Sequence, residues 1–200
     1  MNSDVQKRET GEGRRAAIAV AARQIIAEKG LEGLRTRDIA ARVGINIATL
    51  HYHVPSKEAL VGLVAESIRE QFRAQAERHP RESKTALELL RLEFSDFAET
   101  MNDSPDLIVI MAELTERARR DAAISAIMAP MGNFWRGQMA EILALGVKDG
   151  SFRPDIDPAS GALLITGSLS ELARTHGKFG SPAQLFAEIE RAFVRPSTNS

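Results

Sequence analysis

Apolar residues recur along this chain at intervals of three and four, the spacing of one face of an amphipathic helix. Ile18, Ala22, Ile25 and Ile26 make the first such face and predict a helix over 14–29. Gly30, behind the cationic Lys29, is a helix stop. Leu31 and Leu34 then seal the core beneath a short linker. Thr36 reads as the N-cap of a second helix that buries Ile39, Ala40 and Val43 and ends near Val43. Gly44 breaks it. A third short helix is predicted over 47–53 and stops before Pro55, because the residue preceding a proline avoids the α region. Ser56 caps a fourth helix carrying Leu60, Leu63, Val64, Ile68 and Phe72. Beyond His79-Pro80 the pattern predicts helices over 83–101, 105–118, 121–148, 158–176 and 182–194, with Pro130 either kinking or splitting the longest. No segment alternates with the period of a strand. The expected fold is all-α with about nine helices.

The segment from Thr36 to Lys57 reads TRDIAARVGINIATLHYHVPSK. Two short helices flank a glycine turn, the arrangement of a helix-turn-helix. Its chemistry is geometric. The major groove of B-DNA is about 12 Å wide and admits one helix. The first helix braces the second, and the second presents side chains to base edges. Val43, Ile45 and Leu50 form the expected core with Ile39. Asn46, Ile47, Ala48, Thr49, His51, Tyr52 and His53 are left to face outward, with Tyr52 either touching DNA or packing inward. Thr49 can hydrogen-bond a base or phosphate, and Ile47 and Ala48 can contact a thymine methyl. Thr36 and Arg37 sit at a helix N-terminus, whose free N–H groups favour a phosphate. Lys57 is similarly placed on the fourth helix.

Charge sharpens the picture. The net charge is −1. Residues 1–60 nevertheless hold ten Lys/Arg against seven Asp/Glu, and residues 61–200 hold sixteen against twenty. The basic excess lies where a phosphate-facing module needs it. Residues 1–13 are polar and glycine-containing and are expected to form a disordered arm. Lys7, Arg8, Arg14 and Arg15 then either reach a groove or remain solvated. Residues 196–200 are expected to be a tail.

Composition excludes several classes. The chain has 200 residues, 44% of them hydrophobic and 26% charged, and no cysteine, so disulfide and thiolate chemistry are excluded. No apolar run approaches the roughly 20 residues that span a bilayer, and the N-terminus lacks the apolar region of a secretory signal. The expected location is the cytoplasm. His51 and His53 at i and i+2 point to different helix faces, which is poor for chelation. Nothing resembles a nucleophile elbow or a phosphate-cradling glycine loop. No metal, cofactor or catalytic residue is expected, and the chain reads as a non-enzyme.

The run GLEGLRTRDIAARVGINIATLHYHVPSKEALVGLV resembles the DNA-binding domain of TetR-type regulators. The matching parts are Gly30, Thr36, Ile39-Ala40, Gly44, Thr49-Leu50, His53-Val54 and Lys57 through Leu60. The resemblance implies a three-helix DNA-binding domain over 14–60. A fourth helix then leads into a helical ligand-binding and dimerisation domain over 61–195. It places DNA contacts at Thr36, Arg37, Ile47, Ala48, Thr49, His51, His53 and Lys57. His51 stands where the family has a phosphate-contacting tyrosine, and Val54 where it has an aromatic. Farther on, Trp135, Gly150-Ser151-Phe152-Arg153 and Asp157-Pro158-Ala159 look like the regulatory domains of choline-sensing repressors.

The implied function is a ligand-responsive repressor that binds a palindromic operator as a homodimer and is released by a small molecule. Its rivals are an activator or sequence-lax DNA-binding protein without an inducer, and a helical small-molecule-binding protein that does not use DNA. Phe94, Phe97, Ile110, Met111, Leu114, Met128, Met131, Trp135 and Met139 are candidate pocket residues, because methionines beside aromatics suit an adaptable apolar cavity. Taken singly, each reads first as plain core. Glu113, Glu116, Arg117 and Arg120 are either a polar anchor or a solvated face. The helix over 158–176 is apolar nearly all round, which requires burial on more than one side. Leu163, Ile165, Leu169 and Leu172, with Phe186, Ile189 and Phe193 of the last helix, are therefore candidates for a four-helix dimer interface. The alternative is that they fill the core of one subunit.

Overall fold

The computed structural model describes the backbone of residues 2–175 and 177–195, and side chains from residue 11 onward within those ranges. The helices are α1 (Asn2–Lys29), α2 (Thr36–Val43), α3 (Ile47–His53), α4 (Lys57–Arg78), α5 (Ala86–Asp103), α6 (Pro105–Ala118), α7 (Ala122–Asp149), α8 (Pro158–Arg174) and α9 (Pro182–Phe193). A single 3-10 turn, Leu31–Gly33, lies between α1 and α2. Among the described residues no strand forms; an isolated antiparallel bridge joins Phe152 to Val194. The all-α expectation holds.

Two local readings need correction, and one open alternative closes. The segment expected to be a disordered arm continues α1, which begins at Asn2. Gln6, Lys7, Arg8 and Glu9 are straight-chain helix formers, and their propensity carries the helix past Gly11 and Gly13. The tail over 196–200 and the side chains of Lys7 and Arg8 lie outside the described residues. Thr36 is the first helical residue, not the N-cap. Arg35 occupies the cap in extended backbone, and its carbonyl accepts from Asp38 N–H (3.1 Å) and Ile39 N–H (3.2 Å). Pro130 splits nothing: α7 runs through it.

By packing, the chain forms two compact units. One comprises Met1–Ala74 with Pro105–Ala129, and the other Gln75–Ser104 with Pro130–Ser200. A packing unit is not a functional domain. The first unit gathers α6 onto α1 although α6 follows the helix-turn-helix by some distance in sequence. Its core joins Ile18, Ile25 and Ile26 of α1 to Ile39, Leu50, Leu60, Val64 and Ile68, with Leu107, Ile110 and Leu114 from α6. Val43 and Ile45, expected in this core, are only half-buried.

The second unit has its own core, in which α5, α7, α8 and α9 contribute Leu90, Phe94, Met139, Leu143, Ile165, Leu169, Ile189 and Phe193, and the α7–α8 connection contributes Phe152. Phe94 stacks on Phe186 with ring centroids 4.5 Å apart. Glycine is required at two crossings. A Cβ at Gly146 would lie 2.2 Å from the Phe152 ring, and one at Gly161 would lie 2.6 Å from Leu143.

Candidate nucleic-acid interface

The α2–α3 turn is built from three local devices. Gly44 adopts the left-handed conformation (φ 73°, ψ 35°) that side chains disfavour. It donates to Ala41 O (3.2 Å) while Ile45 N–H donates to Ala40 O (2.9 Å). This closes α2 with the paired bonds of a Schellman motif. Asn46 then stands in extended backbone, and its Oδ1 accepts from Thr49 N–H at 2.7 Å. Asn46, expected to face outward, is exposed, and its side chain is the N-cap of α3. The third device ends α3 and starts α4. Val54 is buried behind the helix, Pro55 follows, and Ser56 Oγ accepts from Ala59 N–H at 3.1 Å.

These devices leave α3 anchored by one buried residue, Leu50. The rest of its surface is offered outward. Ile47 is 42% exposed and Tyr52 81%. Ala48 and His51 are exposed, and Thr49 and His53 are half-buried. Tyr52 does not pack into the core; its ring meets His53 edge-on, centroids 5.2 Å apart. Thr36, Arg37 and Lys57 are also exposed. Each of the nine expected DNA-contact residues therefore has free surface.

The brace behind this face is polar. Arg15 Nη1 donates to the His53 carbonyl at 3.1 Å, tying α1 to the end of α3. Arg42 grips Glu28 with both guanidinium nitrogens, at 2.8 and 2.9 Å. Those hydrogen bonds hold the Glu28 carboxyl below its ordinary value. Lys29 meets Asp38 at 3.2 Å, and Arg23 donates to Gln71 at 2.7 Å. Arg42 is a neighbour of this face that sequence reading missed, and Arg15, expected to reach a groove or remain solvated, is tied to α3 instead, because which cation meets which acceptor depends on how α1 packs.

The remaining candidates are distributed as follows. Of the pocket residues, Phe94, Phe97, Met131, Trp135 and Met139 belong to the second unit, and Ile110, Met111, Leu114 and Met128 to the first. Phe94 and Met139 lie in the second core, with Phe97 and Trp135 packed against it. A surface groove of about 280 Å³ lies elsewhere in that unit, lined by Arg81, Leu89, Gln138, Glu141, Ile142 and Leu145. Phe152 is core, and Asp157 is the N-cap of α8, accepting from Ser160 N–H at 2.9 Å. These two residues of the choline-sensor likeness thus have scaffold duties.

Of the expected interface residues, Ile165, Leu169, Leu172, Ile189 and Phe193 are buried within their own subunit, and Phe186 is half-buried against Phe94. Leu163 is 62% exposed, and its neighbour Leu164 65%. The inward face of α8 is satisfied by its own chain, so those two leucines carry its outward apolar surface.

Among the described residues, the grouping with metal-ligand spacing is His79, Asp96 and Glu99, not the histidines of α3. Its carboxylates are already engaged: Arg78 pairs with Glu99, and Arg81 lies 3.6 Å from Asp96. Among the described residues no helix is long and apolar enough to cross a membrane.

A short, capped, outward-facing helix behind a glycine turn, on an all-helical chain, is the geometry of a helix-turn-helix. Residues 18–64 match the family model of the bacterial regulatory proteins, tetR family. The HTH-type transcriptional repressor KstR2 of Rhodococcus jostii (strain RHA1) is 28% identical over 151 residues, 72% of this chain and 71% of the relative. The class D tetracycline repressor protein of Escherichia coli is 39% identical over 54 residues, 27% of this chain and 25% of the relative. The structure of a transcriptional regulator from Saccharomonospora viridis in complex with choline superposes with a TM-score of 0.78 at 24% identity, covering 92% of this chain and 99% of the other. Over residues 18–64 the chain is similar to the DNA-binding module of the tetR family of bacterial regulatory proteins.

Proposed function

We propose that this protein is a ligand-responsive transcriptional repressor of the cytoplasm, binding a palindromic operator as a homodimer and released by a small molecule. The observation that carries this reading is the exposed face of α3, flanked by Thr36 and Arg37 at the start of α2 and by Lys57 at the start of α4. In this reading α3 enters the major groove, while the two helix N-termini and their cations take the phosphates. Residues 14–60 serve as the DNA-binding domain and 61–195 as the regulatory and dimerisation domain.

Dimerisation is supported by Leu163 and Leu164, exposed side by side on α8 with Gly167, whose surroundings are open enough for close helix approach. A two-fold dimer matches half-sites about 34–36 Å apart. Repression is supported by the name of the KstR2 relative, a transcriptional repressor. The effector is taken up among the apolar side chains of α5 and α7, where Phe94, Phe97, Trp135 and Met139 cluster. It acts only through a higher affinity for the conformer whose recognition helices are wrongly spaced.

Selection of bound fragments from genomic DNA tests the reading. A two-fold-symmetric site bound with steep salt dependence is expected. Recovery of fragments with no shared sequence would overturn specific regulation, and an effector that bound without changing operator affinity would overturn induced release.

A further inference from the structure

Glu113 and Arg117 are one helical turn apart on α6 and share a face. Both reach the 3-10 turn, 82 positions earlier for Glu113. Glu113 Oε2 accepts from the Leu31 N–H at 3.1 Å. Arg117 Nη1 meets Glu32 Oε1 at 2.8 Å, and its Nε lies 3.3 Å from Asp121. Two successive residues of the turn are thus held by two residues of one helix. Gly30 fits this contact. Its φ is +70°, and a Cβ there would stand 3.2 Å from the same Glu113 oxygen.

The polar grip is not what attaches α6. Leu107, Ile110 and Leu114 are buried along that helix and do so through the core. Its consequence lies downstream. The turn ends at Gly33, and the chain then passes through the single residue Leu34 to Arg35, the cap of α2, and to Thr36 and Arg37. Where the turn sits decides where the first N–H groups of α2 sit. On the other flank, Lys29 and Asp38 bridge the same connection at 3.2 Å.

We propose that Glu113 and Arg117 are positioning residues for DNA binding, holding the turn before α2 so that Thr36 and Arg37 meet a phosphate without further ordering. Neither residue touches DNA in this scheme, which rests on the DNA-binding role proposed above for α2 and α3. The Leu31 side chain is only 2% exposed, so the turn is docked from beneath by an apolar contact and from outside by the carboxylate. A turn that loses the carboxylate must be ordered during binding, and that cost appears as weaker affinity. Base preference, which belongs to α3, stays unchanged.

The test uses the full chain and a duplex selected from random sequence by the wild-type protein. Glu113→Ala is expected to weaken binding by about three- to tenfold, the scale of one net intramolecular hydrogen bond. It should also speed hydrogen exchange at the Leu31 amide and leave base preference intact. Glu113→Gln keeps an acceptor and should regain most of the affinity. A folded Glu113→Ala protein that binds as tightly as wild type overturns the proposal. If that variant does not fold, the exchanged pair decides. Arg117→Glu and Glu32→Arg should each weaken binding, and together restore it; a double variant no tighter than the singles overturns the proposal. A wild-type protein that selects no sequence fails one step earlier, at the DNA-binding reading itself.

Discussion

Helices α3 and α8 both show apolar side chains to solvent, and they do so for opposite reasons. In α3 a single residue, Leu50, is buried. Ile47, Ala48 and Tyr52 face outward because caps, a turn and that one buried anchor hold the helix in place. In α8 Gly161, Ala162, Ile165, Thr166, Leu169, Leu172 and Ala173 are buried. Leu163 and Leu164 are what remains after the inward face has been satisfied. In the proposed reading, the exposed apolar surface of α3, a helix fixed largely by local polar devices, serves a DNA groove, and that of α8, a helix already packed on one side, serves a second packed layer.

The contrast can be broken most forcefully at Leu50. Leu50→Ala removes the only buried anchor of α3 and should cost about 2–5 kcal/mol in denaturant unfolding, with loss of DNA binding. Retention of both would mean that the caps alone hold the helix. Replacing Leu163 and Leu164 with Asp is the matching change on α8. Both side chains are largely exposed, so helicity should be kept. The dimer should weaken by about a hundredfold or more in sedimentation, because like charges pressed together in an interface cost several kcal/mol. An unaltered dimer would move the interface to another surface. Asn46→Ala should cost about 1 kcal/mol, the worth of an N-cap, with a parallel loss of operator affinity. Lys57→Ala should have the smallest effect. It should weaken binding to all duplexes alike and reduce the slope of log K against log salt by about 1. A change in base preference would show that Lys57 reads sequence.

What could be read from the sequence divides along the same line. The ends of α3 follow from chemistry within a few residues: glycine at the left-handed position, Pro55 beyond Val54, Ser56 before α4. Thr36 was displaced by one position because Arg35, with no capping side chain, supplies the carbonyl that the first helical N–H groups need. The faces of α8 were not legible. An all-round apolar helix does not say which side meets its own α5, α7 and α9 and which is left over, since that depends on contacts distant in sequence. The same holds for Glu113 and Arg117, which have the look of a solvated charged face until α6 is set against α1. Phe152 and Asp157 resembled sensor residues by their local sequence, and packing gave them to the core and to a cap.

The central claim is that α3 reads a DNA sequence. Competition of the selected duplex against random DNA, at a fixed salt concentration, measures this most directly. The account predicts a preference of about a thousandfold or more for the selected site, with Thr49→Ala altering the preferred bases. Equal competition by random DNA, or a Thr49→Ala protein that keeps the wild-type preference, would contradict it.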